Sequence, residues 1–433
     1  MTGGAPTGGT GATPSGATGG AGGETGDTGG ELGGSGGSTG GGTGMDDYNP
    51  DFVEFVGEDC DLPEPLLLSP GDRSLPDPFL MPDDTRMSSK SQWACQRAWL
   101  KKKIEAYVHG TKPGRPSSVT GSVTASAISV QVSNGGSNAS LNFPINRPAG
   151  ASGPVPAMFQ ADGSGVPTNF LHSEGVAAIS YSHSSAESAF NSIYGNGAVS
   201  IQIKWAWAVS RAIDVLVDER DAGRNDIIDP TALGTTGCSY AGKSAFTVGA
   251  FDERIALGIP QESGTGGLGS YRVVADRDLG PNNGEDPEQV SEACGQNWLT
   301  GQVCNGNVDT IPADSHFLVA MYAPRGFTTL DNNRIAHLGP VAQYTADAAG
   351  AEVFIALGIE SHVGYHGGND TDPHNHCTFY PSQEETARNA IRGFLTRTEP
   401  PNNFMEPKLK DRNDPPVHWG LGNYIHWDTP TLD

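Results

Sequence analysis

Gly237-Cys238-Ser239-Tyr240-Ala241-Gly242-Lys243 is the stretch on which the reading of this chain turns. Just upstream, Ala232-Leu233-Gly234-Thr235-Thr236 has the composition of a short buried strand. Just downstream, Ser244 to Ala250 is small and apolar and reads as a helix. A serine on a glycine-flanked turn between strand and helix has the layout of a nucleophile elbow. The tight turn exposes the hydroxyl, small neighbours permit the turn, and the N–H groups that follow face a developing oxyanion. The spacing is G-x-S-x-x-G, one residue longer than the common G-x-S-x-G, and a serine between glycines is also an ordinary turn. The choice therefore rests on the partners that a nucleophile needs elsewhere in the chain.

On both sides of the turn, strand-like and helix-like segments alternate. Ser91 to Tyr107 reads as a helix, with Trp93, Leu100, Ile104 and Tyr107 at helical spacing. Ala125 to Val132 and Ala139 to Ile145 alternate polar and apolar residues, as antiparallel strands do. Pro154 to Phe159 and Gly175 to Tyr181 are apolar runs of buried-strand length, and Ile201 to Leu216 is helical. Further apolar runs at Arg254 to Pro260, His316 to Ala323 and Val353 to Gly358 read as later strands, and Gln383 to Leu395 as a last helix. This alternation predicts an α/β fold with a parallel sheet covered on both faces.

Residues 1–44 are almost wholly Gly, Thr, Ser, Ala and Pro. Such a segment cannot bury enough apolar surface to offset its ordering entropy, so 1–45 is expected to be a flexible tether and 46–433 one catalytic domain. The chain has 433 residues and a net charge of −24, from 26 Lys+Arg against 50 Asp+Glu. That balance argues against a nucleic-acid or anionic-membrane partner, since phosphate binding relies on an excess of cations. No apolar run approaches the roughly 18 residues of a transmembrane helix. No signal peptide is visible. The six cysteines include no CxxC pair, which weakens zinc-ribbon and thioredoxin readings. They are compatible with three disulfides and an oxidising compartment, or with buried thiols.

A serine nucleophile needs a base and a carboxylate that orients the base. Histidines cluster at His362, His366, His374 and His376, in a segment expected to be a loop after the last strand. The same segment, with Asp370, Asp372, His374 and His376, is also a candidate metal site, or a plain Asn/Asp/Gly-rich loop. Two carboxylates compete for the acid. Glu262 follows the run ending at Pro260, and Asp331 follows Phe327-Thr328-Thr329-Leu330. Both satisfy the chain order serine, acid, histidine. Cys238 adjoins the candidate nucleophile and Cys377 the candidate base, so a bond between them would clamp the two. Six cysteines nevertheless allow 15 pairings.

Several of these pieces, in order, resemble glucuronoyl esterases of carbohydrate esterase family 15. They are Leu75 to Phe79, Ser88 to Ala98, Trp205 to Asp214, the Ser239 turn, Ile259 to Gly264, Ala323 to Gly326, His374 to Phe379 and Trp427 to Leu432. The resemblance covers nearly everything after the tether. It implies an α/β-hydrolase, a three-layer sandwich around a central, mostly parallel sheet. It implies a serine carboxylic ester hydrolase acting on esters of 4-O-methyl-glucuronic acid, the links between glucuronoxylan and lignin. Ser239 would be the nucleophile, His376 the base and Glu262 the acid, with Asp331 kept as the rival acid. Lys243 matches the family's sugar-binding lysine, and Gln289 more loosely its binding glutamine. The family's binding glutamate stands as Gln296, with a one-residue shortening, and its binding tryptophan as His337. The family's arginine after the serine is Tyr240 here, which leaves the backbone N–H for the oxyanion but removes a cationic donor. The implied disulfides are Cys60–Cys95 and Cys238–Cys377, leaving Cys294–Cys304. The resemblance further implies no cofactor and no metal, and a monomer that is secreted or tethered at the cell surface. The alternatives are an esterase of this fold on a different carbohydrate or aromatic ester, and a low-activity carbohydrate-binding protein on the same scaffold.

Overall fold

A computed structural model describes residues 49, 52–67, 71, 73–276, 287–368, 373, 375–406 and 421–433. The expected tether lies outside the described residues, all of which fall within one compact unit, Gly42–Asp433.

The framework is a ten-stranded sheet. In chain order its strands are β1 (Ser118–Val123), β2 (Ala127–Asn134), β3 (Ser137–Asn146), β4 (Val155–Ala161), β5 (Ala177–Tyr181), β6 (Ile228–Cys238), β7 (Ile255–Gln261), β8 (Gly326–Leu330), β9 (Val363–His366) and β10 (Met405–Glu406). Their order across the sheet is β1-β2-β3-β5-β4-β6-β7-β8-β9-β10. β1, β2 and β3 form antiparallel hairpins, and β3 meets β5 antiparallel through Ile145 and Asn146. Every pairing from β5 to β10 is parallel. The β2–β3 turn holds Gly135 and Gly136 at φ 56° and 90°, the left-handed backbone that a two-residue hairpin loop requires.

Burial follows the topology. β2 alternates along its length, with one face on the core and one in solvent, whereas β7 and β8 are buried throughout. Along β4, Ala157, Phe159 and Ala161 face one apolar cluster while Met158 faces a second. β5 does the same, with Ala177, Ile179 and Tyr181 on one side and Ala178 on the other. The first cluster is closed by the helices His183–Tyr194, Ile201–Asp221 and Tyr240–Ala250. The second is closed by Thr168–Ser173 and Pro381–Phe394, through Phe170, Leu171, Ala387, Ile391 and Phe394. Helices on both faces of a mostly parallel sheet give the expected three layers.

Two expectations need correction. His316 to Ala323 is not a strand but the helix His316–Ala320 and the turn after it. Val353 to Gly358 is the end of the helix Pro340–Leu357, stopped by Gly358 at φ 75°. His316 to Ala323 is buried throughout and so carries no period; Val353 to Gly358 leaves Ile355 exposed but is too short to show one, and a short apolar run does not distinguish helix from strand. The strand before the histidine segment is β9, which itself contains His366. β1 escaped notice because only Val119 among its residues is buried.

The three disulfides are Cys60–Cys95, Cys238–Cys377 and Cys294–Cys304, each with Cα atoms 5.5–5.6 Å apart. Among the described residues, no helix is long and apolar enough to cross a membrane.

Candidate active site

β6 runs into the turn at Ser239, and the helix Tyr240–Ala250 starts at the next residue. Ser239 sits at φ 56° and ψ −121°, a sparsely populated conformation for a residue with a side chain. Its neighbours make it possible. A Cβ on Gly237 would lie 2.2 Å from the Ala241 carbonyl oxygen, and one on Gly242 would lie 2.5 Å from that of Gln261. The Ser239 N–H donates to the Gln261 carbonyl at 2.9 Å, which ties the turn to the adjacent strand. Tyr240 opens the helix, where leading N–H groups lack an intrahelical acceptor and the helix dipole favours negative charge.

Glu262 follows directly on β7 and is fully buried, at φ 47°. Its Oε2 accepts from His376 Nδ1 at 2.5 Å and from the Cys377 N–H at 2.8 Å. The Cys238–Cys377 bridge fastens this loop to the residue before Ser239. With Nδ1 held by a buried carboxylate, ring geometry turns Nε2 of the half-exposed His376 away from the acid. Ser239, Tyr240 and His376 line a common cavity of about 410 Å³. A roomier concavity of about 630 Å³ over β2, β3 and β5 contains none of these three.

Asp331, at the end of β8, is engaged elsewhere. Its oxygens accept from Tyr365 Oη at 2.5 Å, from Gln343 Nε2 at 3.0 Å and from the Asn332 N–H at 2.8 Å. Burial pushes its carboxyl up to about 6, and the nearby Glu262 adds to that against the Tyr365 and Gln343 hydrogen bonds. Gln343 also accepts from the Gly264 N–H and from Ser263 Oγ, so it couples Asp331 to the loop that carries Glu262.

Lys243, one turn into the helix, donates from Nζ to the Ser263 carbonyl at 2.6 Å and to Glu288 Oε2 at 2.9 Å. Its ammonium lies 4.3 Å from the centre of the Trp298 ring. Burial lowers its pKa, and the Glu288 carboxylate opposes that shift. Gln296 and His337 line the same cavity, as do Glu288, Trp298 and Leu338, which sequence reasoning missed. Gln289 is not brought to this wall. It caps the helix Val290–Gly295, and its amide donates to the Pro287 carbonyl. Glu288, one residue earlier, faces the cavity instead.

Of the candidate metal ligands, Asp370, Asp372 and His374 lie outside the described residues. Atoms of Cys238, Glu262, His376 and Cys377 fall within 4.8 Å of one another, but both sulfurs are joined in the disulfide and offer no thiolate.

A mostly parallel sheet layered by helices, with a serine on a strained strand-to-helix turn at its carboxyl edge, defines an α/β-hydrolase. Residues 130–358 match the family described as glucuronyl esterase, fungi. The chain is 32% identical over 396 residues to a 4-O-methyl-glucuronoyl methylesterase of Schizophyllum commune, covering 87% of this chain and 95% of that one. It is likewise 32% identical over 368 residues to one of Neurospora crassa, covering 83% and 89%. Among solved structures, the glucuronoyl esterase catalytic domain from Hypocrea jecorina superposes with a TM-score of 0.74 at 29% identity, over 86% of this chain and all of that one. A mutant glucuronoyl esterase from Sporotrichum thermophile, in complex with methyl 4-O-methyl-β-D-glucopyranuronate, gives 0.74 and 29% over 87% and 100%. The chain belongs to the glucuronoyl esterase family, whose members are carboxylic ester hydrolases.

Proposed function

We propose that this chain hydrolyses esters of 4-O-methyl-glucuronic acid with Ser239, His376 and Glu262 as its triad. The observation that carries the reading is the hydrogen bond from His376 Nδ1 to the buried Glu262, on a cavity that Ser239 also lines. His376 Nε2 takes the Ser239 proton as Oγ attacks the uronate carbonyl. The tetrahedral oxyanion is held by the Tyr240 N–H and its side chain. Its collapse passes the proton from His376 to the departing alcohol and leaves a glucuronoyl ester on Ser239. Water, deprotonated by His376, attacks that ester, and Ser239 recovers the proton as the free acid leaves. Glu262 stabilises the imidazolium and fixes its tautomer. The uronate ring rests against Lys243, Glu288, Gln296 and His337. In this reading 46–433 is the catalytic domain and 1–45 its tether. The protein works outside the cell as a monomer, on esters joining glucuronoxylan to lignin alcohols. The oxidised cysteines fit such a compartment.

Benzyl glucuronate is the direct test. Wild type is expected to release benzyl alcohol with saturation kinetics, and Ser239→Ala to fall by about 10⁶-fold in kcat while remaining folded. Equal rates for the two would remove the enzyme reading.

A second reading, an esterase of this fold on another ester, draws on Tyr240, Gln296 and His337, where the sugar-facing residues depart from the family's pattern. Faster cleavage of acetyl or feruloyl esters than of benzyl glucuronate would favour it.

A further inference from the structure

Tyr240 follows the nucleophile, and its ring is boxed by others. His183 stands 4.7 Å away at 72°, Trp205 4.8 Å away at 78°, and Trp298 5.8 Å away. The Tyr240 hydroxyl makes no hydrogen bond among the described residues, so its proton is free for a bound molecule. Burial raises its pKa, which keeps that proton in place.

His183 is not an ordinary packing residue. It opens the helix His183–Tyr194, and its Nδ1 lies 2.8 Å from Asp162 Oδ2, just past the end of β4. Its ring meets both Tyr240 and Trp205, the latter 4.1 Å away, so that the three rings form a mutually touching cluster. It is 5% exposed, and among the described residues neither ring nitrogen makes a hydrogen bond of good geometry, so that the 2.8 Å approach of Nδ1 to Asp162 is an electrostatic contact and Nε2 has no partner. Burial lowers its pKa against the opposing pull of Asp162, so it stands neutral at neutral pH. An apolar ring would fill the same space without the cost of an unpaired buried nitrogen. What imidazole adds is the Asp162 contact, which fixes the angle of the ring that meets Tyr240.

We propose that His183, held by Asp162, is a positioning residue that sets the Tyr240 phenol at the oxyanion site, where the family's pattern has a cationic side chain. The inference rests on the ester-hydrolase reading above. It makes Asp162, His183 and Tyr240 a coupled unit, in which removing the second link has no effect once the last is gone.

The test is a double-mutant cycle read on two esters, benzyl glucuronate and p-nitrophenyl acetate. Tyr240→Phe is expected to lower kcat at least about tenfold on both. His183→Ala should lower kcat by a similar factor with KM little changed, and the double variant should be no slower than Tyr240→Phe alone. Asp162→Asn, at a side chain 55% exposed and so without risk to folding, should lose part of the same kcat. Effects of Tyr240→Phe and His183→Ala that multiply independently would overturn the proposal. So would unchanged kcat in Asp162→Asn, which decides the matter if His183→Ala does not fold. If p-nitrophenyl acetate follows the expected pattern while wild type leaves benzyl glucuronate intact, the uronate reading falls and the positioning role stands.

Discussion

At the scale of single residues, the acid is the most informative assignment. Glu262 and Asp331 are both fully buried and both follow a parallel strand of the same sheet. They differ in what they hold, His376 for Glu262 and Tyr365 with Gln343 for Asp331. Glu262→Gln is therefore expected to lower kcat by roughly 10³–10⁴-fold, because the amide leaves His376 in the wrong tautomer. Asp331→Asn should stay within about tenfold of wild type on benzyl glucuronate. Its effect belongs to stability instead. The folded-state pKa of Asp331 is raised to about 6, above the unfolded value, so its contribution is full below about pH 3.9 and is lost as pH rises through about 6. Thermal melts between about pH 4 and pH 7 should show that decline in wild type and a flatter profile in Asp331→Asn. Identical profiles would sink the argument. Sequence left this choice open because a carboxylate after a strand looks the same whichever partner it later meets.

At the scale of elements, the elbow depends on absent side chains. Gly237 has no positive φ to maintain, yet a Cβ there would collide with the backbone oxygen and carbon of Ala241 at 2.2 and 2.5 Å. No flexible side-chain end is available to give way. Gly237→Ala is expected to cost about 1–3 kcal/mol of stability in urea titrations. It should also lower kcat by more than the unfolded fraction explains, since the shift displaces Ser239 two residues on. Loss of stability with full kcat would mean that Ser239 is placed by other contacts. The strands around the elbow were legible because β4 and β7 are short apolar runs bounded by turns, whereas of the 11-residue β6 only the part from Ala232 to Thr236 was legible. His316–Ala320 was not, since total burial erases the period that separates a helix from a strand, and the end of Pro340–Leu357 was not, since so short an apolar run shows no period.

At the scale of the whole molecule, the catalytic groups are assembled from three distant places in the chain. The base loop is fixed by two kinds of bond. The Cys238–Cys377 bridge spans 139 residues, and Gln261 Nε2 donates to the Thr378 carbonyl at 3.0 Å. Replacing both cysteines by serine is expected to lower stability by about 2–5 kcal/mol, seen as a shift of the urea midpoint. It should also lower kcat, because a loop released from the bridge no longer holds its residue-377 N–H and the adjoining His376 firmly against Glu262. Unchanged kcat would show that the hydrogen bonds alone keep the base in place.

By itself the sequence determined the α/β alternation and the turn at Ser239, and its resemblance to glucuronoyl esterases marked the departures at Tyr240, Gln296 and His337. The first two are properties of residue type and local spacing, and they persist whatever the chain does elsewhere. Only the tertiary structure decided that Glu262 meets His376 and that Glu288 rather than Gln289 faces the cavity. It alone also placed Asp162 and His183 behind Tyr240. Each depends on where a side chain points after distant strands have been set side by side. A one-residue change of position along a turn or helix start moves a side chain from wall to cap, as Glu288 and Gln289 do, and nothing local in the sequence records which of the two will face inward.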